Sequence, residues 1–250
     1  RDSLRLDLRA AGEAANGFVI GVVTVAVFLA AMCLARAWGV CRLKEDWSVS
    51  SPLLLAVVSA LGAAVPEEVL FRGVLFAVLA RHTTLTRAII LSSLFFLVPH
   101  FLSGHALLPT GFNPWTGPLS GYEAMRISAR SVLQREGAPA LTASLLLIGA
   151  LLAWCCARTS RVYLGIGLHT GWVLAQKASY VVVCPSPDWP QWFAGSRQIL
   201  DGAAAWLIAP AAAWWVWAVT RTRRRAAPAG PTTHPEHPAP PPGTPPQGTR

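Results

Sequence analysis

Charge is what this chain has least of. Asp, Glu, Lys and Arg make up 13% of its 250 residues and hydrophobic residues 53%, with a mean hydropathy of +0.44. A soluble domain carries about 25% charged residues, so an ordinary soluble fold is excluded and an integral membrane protein is expected. Acidic residues are the scarcer sign, 12 against 21 basic, for a formal net charge of +9. The arginines flank apolar runs and do not gather into one stripe, so this excess does not point to nucleic acid.

Other absences narrow the chemistry. No C-x-x-C spacing occurs among Cys33, Cys41, Cys155, Cys156 and Cys184, which removes the common redox and zinc-ribbon signatures. Three of these cysteines lie in apolar runs and read as small hydrophobes. Cys41 and Cys184 are the two near loops and the one pair considered for a disulfide. There is no H-E-x-x-H helix, and no Ser, Thr or Cys is tied to a histidine by any sequence signal. Internal repeats of the kind many transporters show are absent. No signal peptide with a cleavage site precedes the first apolar run, and the chain starts at Arg1, as a missing or processed start would.

What is present is a succession of apolar runs. Residues 1–16 mix Arg, Asp and Leu as an N-terminal surface segment, and 17–225 form the membrane domain. About six spans are expected, at 17–38, 52–80, 88–102, 139–157, 162–183 and 203–219. The second is longer than a bilayer core of roughly 30 Å requires, so it tilts and bends, or breaks, at Pro66. In the long loop 103–138, Met125, Ala129, Val132 and Leu133 share one helical face while Arg126, Arg130 and Gln134 share another, the pattern of an amphipathic helix on the membrane surface. Residues 226–250 hold nine prolines and no large apolar side chain, the composition of a disordered or polyproline tail. The fold class expected is therefore all-α, a polytopic transmembrane helix bundle. Arginines concentrate on the side holding both termini and the two short turns, which places both termini in the cytoplasm. Trp38, Trp47, Trp189 and Trp192 on one side, and Trp214, Trp215 and Trp217 on the other, fit interfacial belts.

The ionisable residues inside the runs are Glu67, Glu68, Arg72, His100, His169 and Lys177. Each such residue costs roughly 2.5–3.5 kcal/mol to insert at mid-membrane, so residues of this kind usually face the bundle interior and mark a site. On a helix Glu68 and Arg72 lie at i and i+4 and can pair, while Glu67 points about 100° away. One carboxylate then has a local partner and the other faces a cavity. Counted from the arginines at the span ends, Glu67 and His100 lie roughly 20 Å in and His169 roughly 12 Å, so three spans can bring them together. Lys177 can snorkel outward.

Those residues carry a resemblance. E-E-V-L-F-R at 67–72, F-L-V-P-H at 96–100 and the H-T-G-W that begins at His169 resemble the three motifs of the CPBP family. That family comprises the type II CAAX prenyl endopeptidases and their bacterial relatives, including bacteriocin-processing and self-immunity proteins. The similar stretch covers about 52–176, within a core set at about 52–183. The resemblance implies Glu67 as the catalytic carboxylate, with Glu68, His100 and His169 in the catalytic set and Arg72 and Phe96 supporting it. The family's third motif usually has Asn or another small polar residue four positions after its histidine. Here that position is Val173, which cannot hydrogen-bond through its side chain, and Gln176 is the substitute on offer.

The function expected is intramembrane hydrolysis of a peptide bond, by a glutamate-activated water assisted by two histidines and without a covalent intermediate. No cofactor is expected. The metal alternative is a divalent ion such as zinc held by Glu67, His100 and His169. The partners expected are the lipid bilayer and a membrane-anchored peptide or protein, with no nucleic acid. The competing class is a non-catalytic adaptor or self-immunity protein on the same fold, favoured by Val173; a small transporter with a Glu/His proton relay is the third. Family members from eukaryotes cleave prenylated C-termini. The Arg-, Ala- and Pro-heavy composition here points instead to a high-GC bacterium, its inner membrane, and peptide or sorting-signal processing.

Overall fold

The computed structural model describes residues 2–35, 38–40, 50–102, 120–134, 137–186, 188–195, 200 and 202–226. Trp47, Cys41, the first half of the long loop and the proline-rich tail lie outside them, and so do the expectations placed there. The elements are α1 Asp2–Leu34, β1 Trp38–Val40, α2 Ser50–Glu68, a π-helical section Val69–Phe76, α3 Ala77–His82, α4 Leu85–Leu102, α5 Ser120–Leu133, α6 Ala138–Thr159, α7 Tyr163–Val182, β2 Val183–Pro185, α8 Gln191–Ala194, a 3₁₀ turn Ala203–Leu207 and α9 Ile208–Ala226. The protein is an all-α membrane bundle, and the antiparallel β1–β2 pair, with Gly39 opposite Cys184, is its only ladder among the described residues.

Four of the described helical runs are long and apolar enough to cross a membrane: Leu8–Leu34, Leu54–His82, Ala138–Thr159 and Ala203–Arg221. Leu85–Phe101 is apolar but shorter. The N-terminal segment is helical and continuous with the first span, so α1 begins well before residue 17. Apolar side chains point outward along the bundle: Leu54, Val58, Leu61, Val65, Val69 and Val74 are all exposed. In water such a face would be a liability; in lipid it is the solvated face.

Helix α7, which carries His169, is the one the others surround. Leu164, Leu168, His169, Thr170 and Trp172 are all buried. It packs most closely on α1, and four glycines allow this. A Cβ on Gly17 would strike Leu164 and Leu168, and one on Gly21 would strike Leu168; reciprocally, Gly167 lies against Ala14 and Gly171 against Phe18. Two G-x-x-x-G stretches, 17–21 and 167–171, thus face each other, the pattern by which helices approach closely in a membrane. The contacts rise together along both helices, so α1 and α7 run parallel.

The second span neither breaks nor stops at Pro66. The helix runs through it to Glu68 and then widens into the π-section. An extra residue per turn reorients local carbonyls, and neighbouring helices take two of them. Ser92 Oγ donates to Phe71 O at 3.3 Å and Cys156 Sγ to Arg72 O at 3.9 Å. Short turns join the helices at this end. Thr84 Oγ1 caps α4 through the Arg87 N–H at 3.4 Å. Ser160, with φ 57°, closes α6, and its N–H donates to Cys156 O at 2.7 Å.

Helix α5 forms where the amphipathic pattern places it, with Met125 and Leu133 exposed and Arg126 paired with Glu123 at 2.9 Å on the other face. Trp189, Trp192, Trp214 and Trp217 are exposed, as anchors in an interface would be.

Candidate functional site

Three helical paths deliver the site. The second brings Glu67, Glu68 and Arg72 to the start of the π-section, α4 brings Phe96 and His100, and α7 brings His169. Glu68 and Arg72 pair as their i, i+4 spacing requires, Nη1 donating to Oε1 at 2.7 Å, with both side chains fully buried. The same Oε1 accepts from His169 Nδ1 at 2.9 Å. Arg72 Nη2 donates to Gly149 O on α6 at 3.3 Å, and its guanidinium lies 4.3 Å from the centroid of the Phe96 ring. A carboxylate and a guanidinium can be held in hydrocarbon only when compensated in this way.

Glu67 occupies a different environment. Its side chain is 26% exposed, and Oε2 lies 3.9 Å from His169 Nε2. That oxygen is itself buried and makes no hydrogen bond to the described residues, so it is free to accept from a water or a substrate. The two adjacent glutamates therefore divide as the helix geometry requires: Glu68 is fully buried with Oε1 held by Arg72 and His169, its Oε2 making no hydrogen bond to the described residues, while Glu67 is part-exposed.

The two histidines share an arrangement. His100 Nδ1 lies 2.9 Å from Phe96 O, an oxygen that can only accept, so the proton is on Nδ1 and Nε2 is left over. His169 commits Nδ1 to the Glu68 carboxylate and turns Nε2 towards Glu67. Phe96 joins the parts: its ring centroid is 4.6 Å from that of His100, 5.8 Å from His169 and 5.6 Å from Phe71.

Of the expected site residues, Glu67, Glu68, Arg72, Phe96, His100 and His169 meet in one cluster. Gln176 lies two turns further along α7, half-buried, with its carbonyl accepting from Ser179 at 2.7 Å. Val173 is half-buried one turn from His169. Among the described residues no group of three His, Cys, Asp or Glu is placed to hold a metal ion.

Three contributions escaped the sequence reading. Gly149 supplies a carbonyl to Arg72, and a Cβ there would lie 3.1 Å from that of Ser93. Gly165 admits the Glu68 carboxylate, whose Oε2 would be 3.0 Å from an added Cβ. Thr24 on α1 accepts the Trp172 indole N–H at 3.1 Å, tying the third motif to the first helix. The G-x-x-x-G spacings were the available signal for α1; nothing marked Gly149.

The sequence model of one family, described as type II CAAX prenyl endopeptidase Rce1-like, matches residues 49–175, half of the chain and every residue of the cluster. The chain belongs to that family. No curated protein and no solved structure gives a significant match. The Rce1-like segment begins at α2 and ends within α7, so α1 and α9 lie outside it. As an Rce1-like protein it is an integral membrane member of a protease family, a peptidase at the level the family defines. Its α1 is nonetheless built into the site's support, since Gly21 and Thr24 grip the helix that carries His169.

Proposed function

We propose that the protein is an intramembrane endopeptidase that hydrolyses a peptide bond of a membrane-associated protein or peptide, using water activated by Glu67. The observation that carries this reading is the division of the glutamate pair: Glu68 is fully buried and tied through Oε1 to Arg72 and His169, while Glu67 is part-exposed with an unbonded Oε2 3.9 Å from His169 Nε2, and the Phe96 ring contacts both imidazoles. Glu67 accepts a proton from the water as its oxygen attacks the scissile carbonyl carbon. A neutral ring protonated on Nδ1 presents Nε2 as an acceptor, which orients the attacking water; the tetrahedral oxyanion is stabilised by Nε2–H of whichever of His100 and His169 is in its imidazolium form. Collapse breaks the C–N bond, and the proton on Glu67 passes to the leaving nitrogen. The products are a carboxylate and an amine.

Glu68, first grouped with the catalytic residues, is a positioning residue in this scheme, fixing the ring of His169 through Nδ1 while Arg72 neutralises it. The Phe96 ring contacts both imidazoles, and Gln176 stands two turns along α7 from His169. The scheme requires no metal: hydrolysis by purified protein should persist in strong chelator, and loss of activity restored by zinc would replace it with the metal version.

Val173 supports a second reading, a non-catalytic adaptor or self-immunity protein, because an isopropyl group stands where a polar side chain would assist the oxyanion. Glu67→Gln separates the two. Under the peptidase reading the variant folds but no longer processes a membrane-anchored peptide; a phenotype retained by Glu67→Gln assigns the adaptor role. Substrates in a bacterial inner membrane, with both termini cytoplasmic, complete the proposal.

A further inference from the structure

One end of the bundle gathers basic side chains from four helical paths. The small cluster of Phe76, Ala88 and Ala153, flanked by Leu79, Ile89 and Ala157, packs the end of α3, the start of α4 and the end of α6 together. Arg158 Nε donates to Thr220 Oγ1 at 2.9 Å, which brings the end of α9 to the same level. Because α1 and α7 are parallel, their N-termini lie there too. Arg81, Arg87 and Arg221 are exposed at this end, and Arg158 and Arg161 half-buried.

Two of these arginines are braced by tryptophan. Arg158 lies 5.0 Å from the Trp154 ring and Arg221 4.8 Å from that of Trp217. A guanidinium stacked on an aromatic face is held with its plane fixed, the geometry in which Arg recognises a phosphate. Tryptophan also fixes the level, since its ring prefers the headgroup region of a bilayer. The described acidic side chain nearest this end is Glu13, against five arginines.

We propose that the ends of α6 and α9, with the turn into α7, form a binding site for the phosphate of an anionic membrane lipid, centred on Arg158, Arg161 and Arg221. The occupant is a lipid because the site lies where two Trp-braced arginines meet the lipid-facing surface, and anionic headgroups collect at such basic clusters. Bound there, the lipid bridges α6, α7 and α9, two of which lie next to the cluster formed by Glu68, Arg72 and His169. The inference rests on charge and packing alone and stands whether or not the protein is a peptidase.

The test uses the full chain in vesicles of phosphatidylcholine, with or without phosphatidylglycerol, and reads the thermal unfolding midpoint and the lipids retained in native mass spectrometry. Phosphatidylglycerol should raise the midpoint by on the order of 5 °C and be retained preferentially. Arg161→Gln with Arg221→Gln should remove most of that shift, whereas Arg126→Gln at the opposite end should keep it. Arg158→Lys, which preserves charge without the planar fork, should keep part of it. The proposal is overturned if all variants respond equally. It is equally overturned if Arg126→Gln is as damaging, or if inorganic phosphate or a soluble acidic peptide gives the same shift in phosphatidylcholine.

Discussion

At the scale of the residue, the adjacent glutamates should respond oppositely to the same substitution. Glu67→Gln alters a part-exposed carboxylate whose Oε2 makes no hydrogen bond to the described residues. It should leave the unfolding midpoint nearly unchanged while lowering hydrolysis by about 10²–10⁴-fold. Glu68→Gln strands Arg72 in a dry site, and unpairing a buried charge costs about 3–5 kcal/mol. Thermal unfolding in one detergent, alongside cleavage of one membrane-anchored peptide, reads both variants. Equal loss of stability in the two would contradict the division of roles. This pairing was legible in the sequence, because i, i+4 spacing and the helical angle fix which glutamate meets Arg72. The second partner of Glu68, His169, is 101 positions away, and no local spacing predicts which nitrogen of which ring it takes.

At the scale of the element, the π-section is the feature that patterning did not announce. A π-section has the same residue types as the α-helix around it, and Val69–Phe76 reads as ordinary apolar sequence. Two of its carbonyls accept from α4 and α6, a tertiary fact invisible along one strand of text. The α1–α7 seam, by contrast, was written in the spacing of Gly17, Gly21, Gly167 and Gly171. Gly171→Leu should push α1 from α7, shift His169 and abolish activity together with stability. Thr24→Val removes one interhelical hydrogen bond worth about 0.6 kcal/mol on average, so the expected fall in midpoint is small. Thr24→Ser should restore it, whereas an unchanged midpoint in Gly171→Leu would show that the helices do not need close approach.

At the scale of the whole molecule, the apolar runs placed most of the described spans to within a few residues, and the arginines carry the expectation of sidedness. The first span is the exception, since its helix starts at Asp2 where charge alone suggested a separate surface piece. The run at 162–183 was read as a span, and α7 there is the helix that its neighbours, not lipid, surround. Labelling of single cysteines placed in the Arg81–Arg87 turn and after α9 should succeed from the cytoplasmic face of sealed vesicles, and labelling in α5 from the opposite face. α5 and the α3–α4 turn reacting from one face would refute the topology.

The account stands most directly on a comparison of membrane-protein termini in cells that produce equal amounts of folded wild-type protein or Glu67→Gln. New N- and C-termini that appear with the wild type and vanish with the variant are the result expected of a water-activating carboxylate. Identical sets of termini in the two membranes would contradict it.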